Sequence, residues 1–148
     1  MSGLLCLYSN ADGLLGKIKE LRLIANKFHI IGITETWASK QVFDAELSIE
    51  GFTVIRRDRC DRKGGGAILY VKDFLMPEEH TKLMSSEFEE STWCTVKIHS
   101  LQLLVGGCYH SPNSEDANNS QLLDLSAKAS TIVNHNSSTR LMIMGDFN

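Results

Sequence analysis

Two short apolar runs separated by a segment of helical periodicity constrain the architecture of this chain more than any other feature. Leu4-Leu5-Cys6-Leu7-Tyr8 is followed by turn formers (Ser9, Asn10, Asp12, Gly13) and reads as a buried strand. Leu14, Leu15, Ile18, Leu21, Ile24 and Ala25 then recur at helical spacing, with Lys17, Lys19, Glu20 and Arg22 on the other faces. That spacing predicts an amphipathic helix laid on a sheet. His29-Ile30-Ile31-Gly32-Ile33-Thr34 is the second apolar run. Strand, helix and strand in this order make a βαβ unit, with two parallel strands both expected at the centre of a sheet.

The pattern changes downstream. Phe52 to Ile55 and Ala67 to Val71 predict two strands of a hairpin around a basic, glycine-rich connection, Arg56 to Gly66. Thr92 to Ile98 alternates Trp93, Thr95 and Lys97 against Cys94, Val96 and Ile98. Leu101 to Tyr109 follows after a two-residue break, which predicts an antiparallel pair. Ser111 to Asn119 reads as a polar loop. Ser120 is placed to cap a helix in which Leu122, Leu125, Ala129, Ile132 and Val133 share a face. Leu141 to Met144 is the last expected strand, ahead of Gly145-Asp146-Phe147-Asn148. A terminal strand is usually covered by a following segment, so the ending predicts a domain cut short on its C-terminal side.

At 148 residues the chain has length for one domain with a sizeable core. Its 43% hydrophobic and 22% charged residues describe a globular chain rather than a disordered one. A net charge of −3 argues against nucleic-acid binding by bulk electrostatics, so any phosphate must be handled locally, by a metal ion or a small basic patch. Cys6, Cys60, Cys94 and Cys108 lie far apart with no CxxC pair. That spacing fits neither a zinc site nor a dense disulfide framework and predicts reduced, intracellular thiols. No apolar run approaches the roughly 20 residues that cross a bilayer, and Leu4–Leu7 has no basic segment ahead of it, so neither membrane nor signal peptide is expected.

Candidate chemistry collects at strand ends, where ligand sites form in α/β sheets because loops converge there above a rigid scaffold. Asn10, Glu35 and the Asp146/Asn148 pair are expected just past such ends. A carboxylate at Glu35, directly behind an apolar strand, needs a partner, and a hard divalent cation is a natural one. A solvated acid is the plainer alternative. Asp146 and Asn148 are spaced i, i+2, so an extended backbone points both the same way; an ordinary turn is the alternative there. Tyr109 and Asn113 offer a phenol and an amide to a phosphodiester, or form a simple Pro-Asn loop. Arg56 to Lys63 holds five cations and two anions, with Arg57 and Arg59 the candidate nucleic-acid backbone contacts; a solvated hairpin tip competes with that reading. The five histidines show no HxxxH or HxH spacing, and none is assigned to catalysis. A dinucleotide-binding domain would also place an acid after βαβ, but Gly13 and Gly16 supply only GxxG.

Six segments in one order carry a resemblance: Tyr8-Ser9-Asn10-Ala11, Ile33-Thr34-Glu35-Thr36-Trp37, Gly64-Gly65-Gly66-Ala67, Glu90-Ser91-Thr92-Trp93, Tyr109-His110-Ser111-Pro112-Asn113 and Gly145-Asp146-Phe147-Asn148. Over essentially the whole chain the series resembles the endonuclease domain of non-LTR (LINE-type) retrotransposons. That domain is itself similar to apurinic/apyrimidinic endonucleases of the endonuclease/exonuclease/phosphatase superfamily. The resemblance implies a four-layer α/β/β/α sandwich of the DNase I-like type, with a single Mg²⁺ or Mn²⁺ and no other cofactor. Glu35 would be the direct ligand and Asn10 part of the metal site. Tyr109 would help hold the scissile phosphate, with Asn113 a further contact. Asp146 would orient or activate the attacking water and Asn148 support the transition-state phosphate. The implied reaction is hydrolysis of a DNA phosphodiester, in a nuclear retroelement the nick that primes reverse transcription. A phosphatase or RNA nuclease of the same superfamily and a non-catalytic retroelement remnant are the alternatives. Family members continue to a Ser-Asp-His motif that these residues do not contain. Residues 1–148 are therefore expected to form a partial domain, marginally stable and inactive or nearly so.

Overall fold

The computed structural model of the chain describes residues 3–60, 64–111 and 115–147. Among them, eight strands form two four-stranded sheets. The first holds β1 (Cys6–Asn10), β2 (Ile30–Thr34), β3 (Phe52–Arg57) and β4 (Ala67–Lys72), in the order β1-β2-β4-β3. The second holds β5 (Glu78–Glu79), β6 (Ser91–Ile98), β7 (Leu101–His110) and β8 (Thr139–Phe147), in sequence order. β1 and β2 pair in parallel, as do β7 and β8; the remaining pairs are antiparallel. The helices are α1 (Ile18–Ile24), α2 (Asp44–Leu47), α3 (Thr81–Met84) and α4 (Asp116–Asn134).

Period-two alternation splits each strand between two cores. Ile30, Leu69, Val71, Cys94, Val96 and Val105 fill the space between the sheets, joined by Met142 and Met144. Ile31, Ile33, Ile68 and Tyr70 face the other way, onto Leu14, Ile18, Leu21 and Ala25. On the far side Trp93, Leu104 and Cys108 pack against Leu125 and Ala129 of α4. Helix, sheet, sheet and helix thus stack as the four layers expected.

Several details differ from the sequence reading. β1 is an edge strand rather than a central buried one: only Leu7 and Tyr8 are half-buried, whereas every residue of β2 is buried. A parallel unit needs only one strand in the interior, and β4 takes the place beside β2. The first helix is a 3₁₀–α–3₁₀ succession over Leu15–Lys27, which turns Leu15 and Ile24 out to solvent. α4 begins at Asp116, so Ser120 lies inside it rather than capping it. β8 runs on through Gly145-Asp146-Phe147, because pairing with β7 over Gln102–His110 outweighs local turn preference. A Cβ at Gly145 would collide with the Cys108 carbonyl, so only glycine allows that approach. The short elements α2, β5 and α3 had no periodic signal.

Candidate active site

The side chains facing the inter-sheet space change from apolar to polar toward one end of the sandwich. Along β1 they run Cys6, Tyr8, Asn10, and along β2 Ile30, Gly32, Thr34, with Glu35 next. Along β7 they run Leu103, Val105, Gly107, Tyr109, and along β8 Met142, Met144, Asp146. The antiparallel β6 brings its start to the same end, where the Tyr109 amide donates to the Glu90 carbonyl at 2.9 Å. A Cβ at Gly32 would crowd Met144, so the two sheets are in close contact just below these polar groups.

Glu35 is half-buried and follows β2 in the left-handed conformation, φ 52°, as does Trp37 at φ 58°. Non-glycine residues held there are strained, and such strain gathers at functional sites. The loop is stitched in place from two sides. Gly13 and Leu14 donate backbone N–H groups to the carbonyls of Glu35 and Thr36, both at 2.9 Å, and the Trp37 amide donates to Gly65 O at 2.9 Å. The Trp37 indole Nε1 donates to Glu35 Oε2 at 2.9 Å.

Asn10 is the last residue of β1, level with Thr34, and its Oδ1 accepts from the Asp12 amide at 3.2 Å in an Asx turn. That oxygen retains a second lone pair. Asp146 lies within β8, opposite Tyr109, not past the strand's end as expected. Of Asn10, Glu35 and Asp146, only Glu35 stands beyond a strand.

Two phenols sit among these acids. Tyr8 OH lies 2.6 Å from Thr34 Oγ1. Burial pushes its pKa above the ordinary tyrosine value, the bond to Thr34 opposes this, and the charges of Asp146 and Glu35 push it further up. Tyr109 is raised by burial first, then by Glu35, Asp146 and Glu90, while a bond to Ser111 opposes. Both phenols thus feel the same two carboxylates, which places Glu35, Tyr109 and Asp146 around one cleft end. At neutral pH both remain protonated hydrogen-bond donors, suited to an anionic oxygen.

Arg57 and Arg59 have internal partners instead of a free face. The Arg57 guanidinium donates to the carbonyls of Ser86 at 2.6 Å and Phe88 at 3.2 Å, and burial lowers its pKa. Arg59 Nε donates to Glu90 Oε1 at 2.7 Å. Asn113 and Asn148 lie outside the described residues. Sequence reasoning missed Tyr8, Thr34, Trp37 and Glu90 as parts of the site. Tyr8 stands two residues before Asn10 and so shares its face, a signal that was present.

Among the described residues no three His, Cys, Asp or Glu side chains group closely enough to hold a metal ion by themselves. One half-buried carboxylate, a neighbouring amide oxygen and a second carboxylate across the cleft are nevertheless the kind of sparse oxygen set that suits Mg²⁺. That ion keeps several waters and takes only one or two protein carboxylates. The residues present fit such a group.

No protein-family model and no curated protein matches the sequence. Solved structures do match in fold. An AP endonuclease from Leishmania major superposes with a TM-score of 0.73 at 16% identity, over 96% of this chain and 54% of that one. The endonuclease domain of TRAS1, a telomere-specific non-LTR retrotransposon, gives 0.65 at 14% identity, over 97% and 58%. D. rerio TDP2 complexed with a single-strand DNA product gives 0.60 at 12%, over 97% and 60%. The chain therefore spans little more than half the length of these structures. At such identities the likeness is one of fold, and the fold is the DNase I-like four-layer sandwich.

Proposed function

We propose that this chain is the N-terminal portion of a Mg²⁺- or Mn²⁺-dependent DNA endonuclease domain of the non-LTR retrotransposon kind, acting in the nucleus. The observation that carries the reading is the meeting of Glu35, Tyr109 and Asp146, with Asn10 and Tyr8 beside them, at one polar end of the inter-sheet cleft. Hydrolysis of a phosphodiester needs a positioned water in line with the leaving oxygen and relief of charge on the phosphate. Glu35 with Asn10 would hold the divalent ion, which would supply the charge relief. Tyr109, kept protonated by burial and the nearby carboxylates, donates to a phosphate oxygen. Asp146 orients the attacking water, and Asn148 and Asn113 supply further amides to the phosphate. The internal bonding of Arg57 and Arg59 assigns them to bracing the cleft wall more than to gripping DNA.

The open strand edges support a partial domain. Among the described residues β1 and β8 each pair on one side only, and Leu141, Met142, Ile143 and Met144 are only partly buried although apolar. Further strands over these edges would complete the core, and the Ser-Asp-His residues would complete the catalytic set. Losing an essential group removes several orders of magnitude of rate from so slow a reaction, so residues 1–148 alone are nearly inactive.

The test sets the chain against supercoiled plasmid, oligoadenylate and phosphoinositides, each with Mg²⁺. The expected result is at most trace nicking of plasmid, lost in Asp146→Asn and Glu35→Gln, with no turnover of the other two. Robust nicking abolished by Glu35→Ala would overturn the inactivity, and turnover of a phosphoinositide or RNA in its place would overturn the DNA assignment.

A further inference from the structure

Trp37 is half-exposed, at 50%, yet its position is closely determined. Its backbone sits in the left-handed region and bonds Gly65 O, and a Cβ on Gly13 would stand 2.9 Å from its ring. A Cβ on Gly64 would come 3.9 Å from its Nε1. Two glycines with positive φ therefore bracket the indole. The consequence of this arrangement is a single polar contact, Nε1 donating to Glu35 Oε2 at 2.9 Å. Oε1 of the same carboxylate makes no hydrogen bond among the described residues.

The chemistry of that donor is selective. A Lys or Arg partner would also fix the carboxylate, but its charge would repel a divalent ion. An indole N–H is donor-only and neutral, so it holds Oε2 in one direction without neutralising the carboxylate and leaves Oε1 open to a cation. Carboxylates that bind metals are ordinarily held by such an outer partner, which sets their orientation. We propose that Trp37 is a positioning residue for the Glu35 carboxylate, its indole N–H locking Oε2 so that Oε1 is presented to a divalent cation. The inference rests on the reading of Glu35 as the metal carboxylate.

The test is Mn²⁺ binding, followed as free Mn²⁺ by electron paramagnetic resonance, on the full chain, Trp37→Phe and Glu35→Gln, with thermal melts of each. Trp37→Phe keeps an aromatic ring and deletes the donor. It is expected to weaken Mn²⁺ binding about 10- to 100-fold, the usual loss for an outer-shell partner, with its melt close to that of the unaltered chain. Emission offers a second measurement that needs no variant. Trp93 is 1% exposed, so Mg²⁺ saturation should perturb the emission of Trp37 alone. Unchanged Mn²⁺ affinity in Trp37→Phe overturns the inference, as does an unresponsive Trp37 in the metal-loaded chain should that variant not fold. Failure of the unaltered chain to bind Mn²⁺ defeats the metal reading itself and the inference with it.

Discussion

Removing Arg59 while leaving Glu90 in place should be among the most damaging single changes outside the apolar core. The two side chains are only 16% and 13% exposed, and both Arg59 Nε, at 2.7 Å, and Nη2, at 2.6 Å, converge on Glu90 Oε1. The other carboxylate oxygen is buried without a hydrogen bond. A Cβ at Gly65 would stand 2.6 Å from Glu90 Oε1, so the pair underlies the glycine loop whose carbonyl holds Trp37. Charges about 4 Å apart at an effective dielectric near 20 attract by about 4 kcal/mol. Desolvation of both ions offsets most of that gain, so the intact pair adds little net stability, whereas stranding one buried charge costs about 3–5 kcal/mol. Residual exposure favours the lower end: about 3 kcal/mol for Arg59→Met and about 2 for Glu90→Gln, which keeps the shape but drops the charge. The double variant should lose no more than the worse single one, a coupling of about 2 kcal/mol. Urea denaturation measures this directly, since at about 1–3 kcal/mol per M a loss of 3 moves the midpoint by more than about 1 M. Additive losses, or an Arg59→Met change below about 1 kcal/mol, would show that the pair is a solvated surface contact and refute the reasoning.

Two further outcomes follow from the core. Burial pushes the Cys94 and Cys108 thiols from 9.0 up to about 12. Raised values mean that the folded state keeps protons the unfolded chain releases, so stability is intact below pH 9 and falls as pH rises from 9 toward 12. Each thiol contributes a slope of about 1.4 kcal/mol per pH unit. Urea midpoints between pH 8 and 11 should therefore fall more steeply for the unaltered chain than for Cys94→Ala/Cys108→Ala, and parallel profiles would contradict the burial argument. At Gly106 an added Cβ would run into the Trp93 ring, which is 1% exposed and cannot swing away. Gly106→Ala should cost about 1–3 kcal/mol in the same denaturation assay; a neutral result would mean that β6 and β7 yield at that point.

The sequence by itself determined the elements that carry strong periodicity and the face each residue takes. Ile30–Thr34, the Phe52/Ala67 hairpin and the β6–β7 pair were legible, because alternation and helical spacing are local properties of a chain that must bury one face. The same alternation carried the signal that Tyr8 shares a face with Asn10, although it went unread, and the acid after an apolar strand marked Glu35. Only the tertiary structure decided which strands became edges, how far β8 continued, and what the basic run at Arg57 and Arg59 bonds to. Those outcomes depend on partners about thirty residues or more away: Ser86 and Phe88 for Arg57, Glu90 for Arg59, and the β7 ladder for Gly145 and Asp146. No local pattern records an acceptor supplied by a distant segment. The convergence of Glu35, Tyr109 and Asp146 is likewise a product of two sheets stacked face to face, since registers are read within a sheet but the alignment between sheets is set by packing, here by Gly32 against Met144.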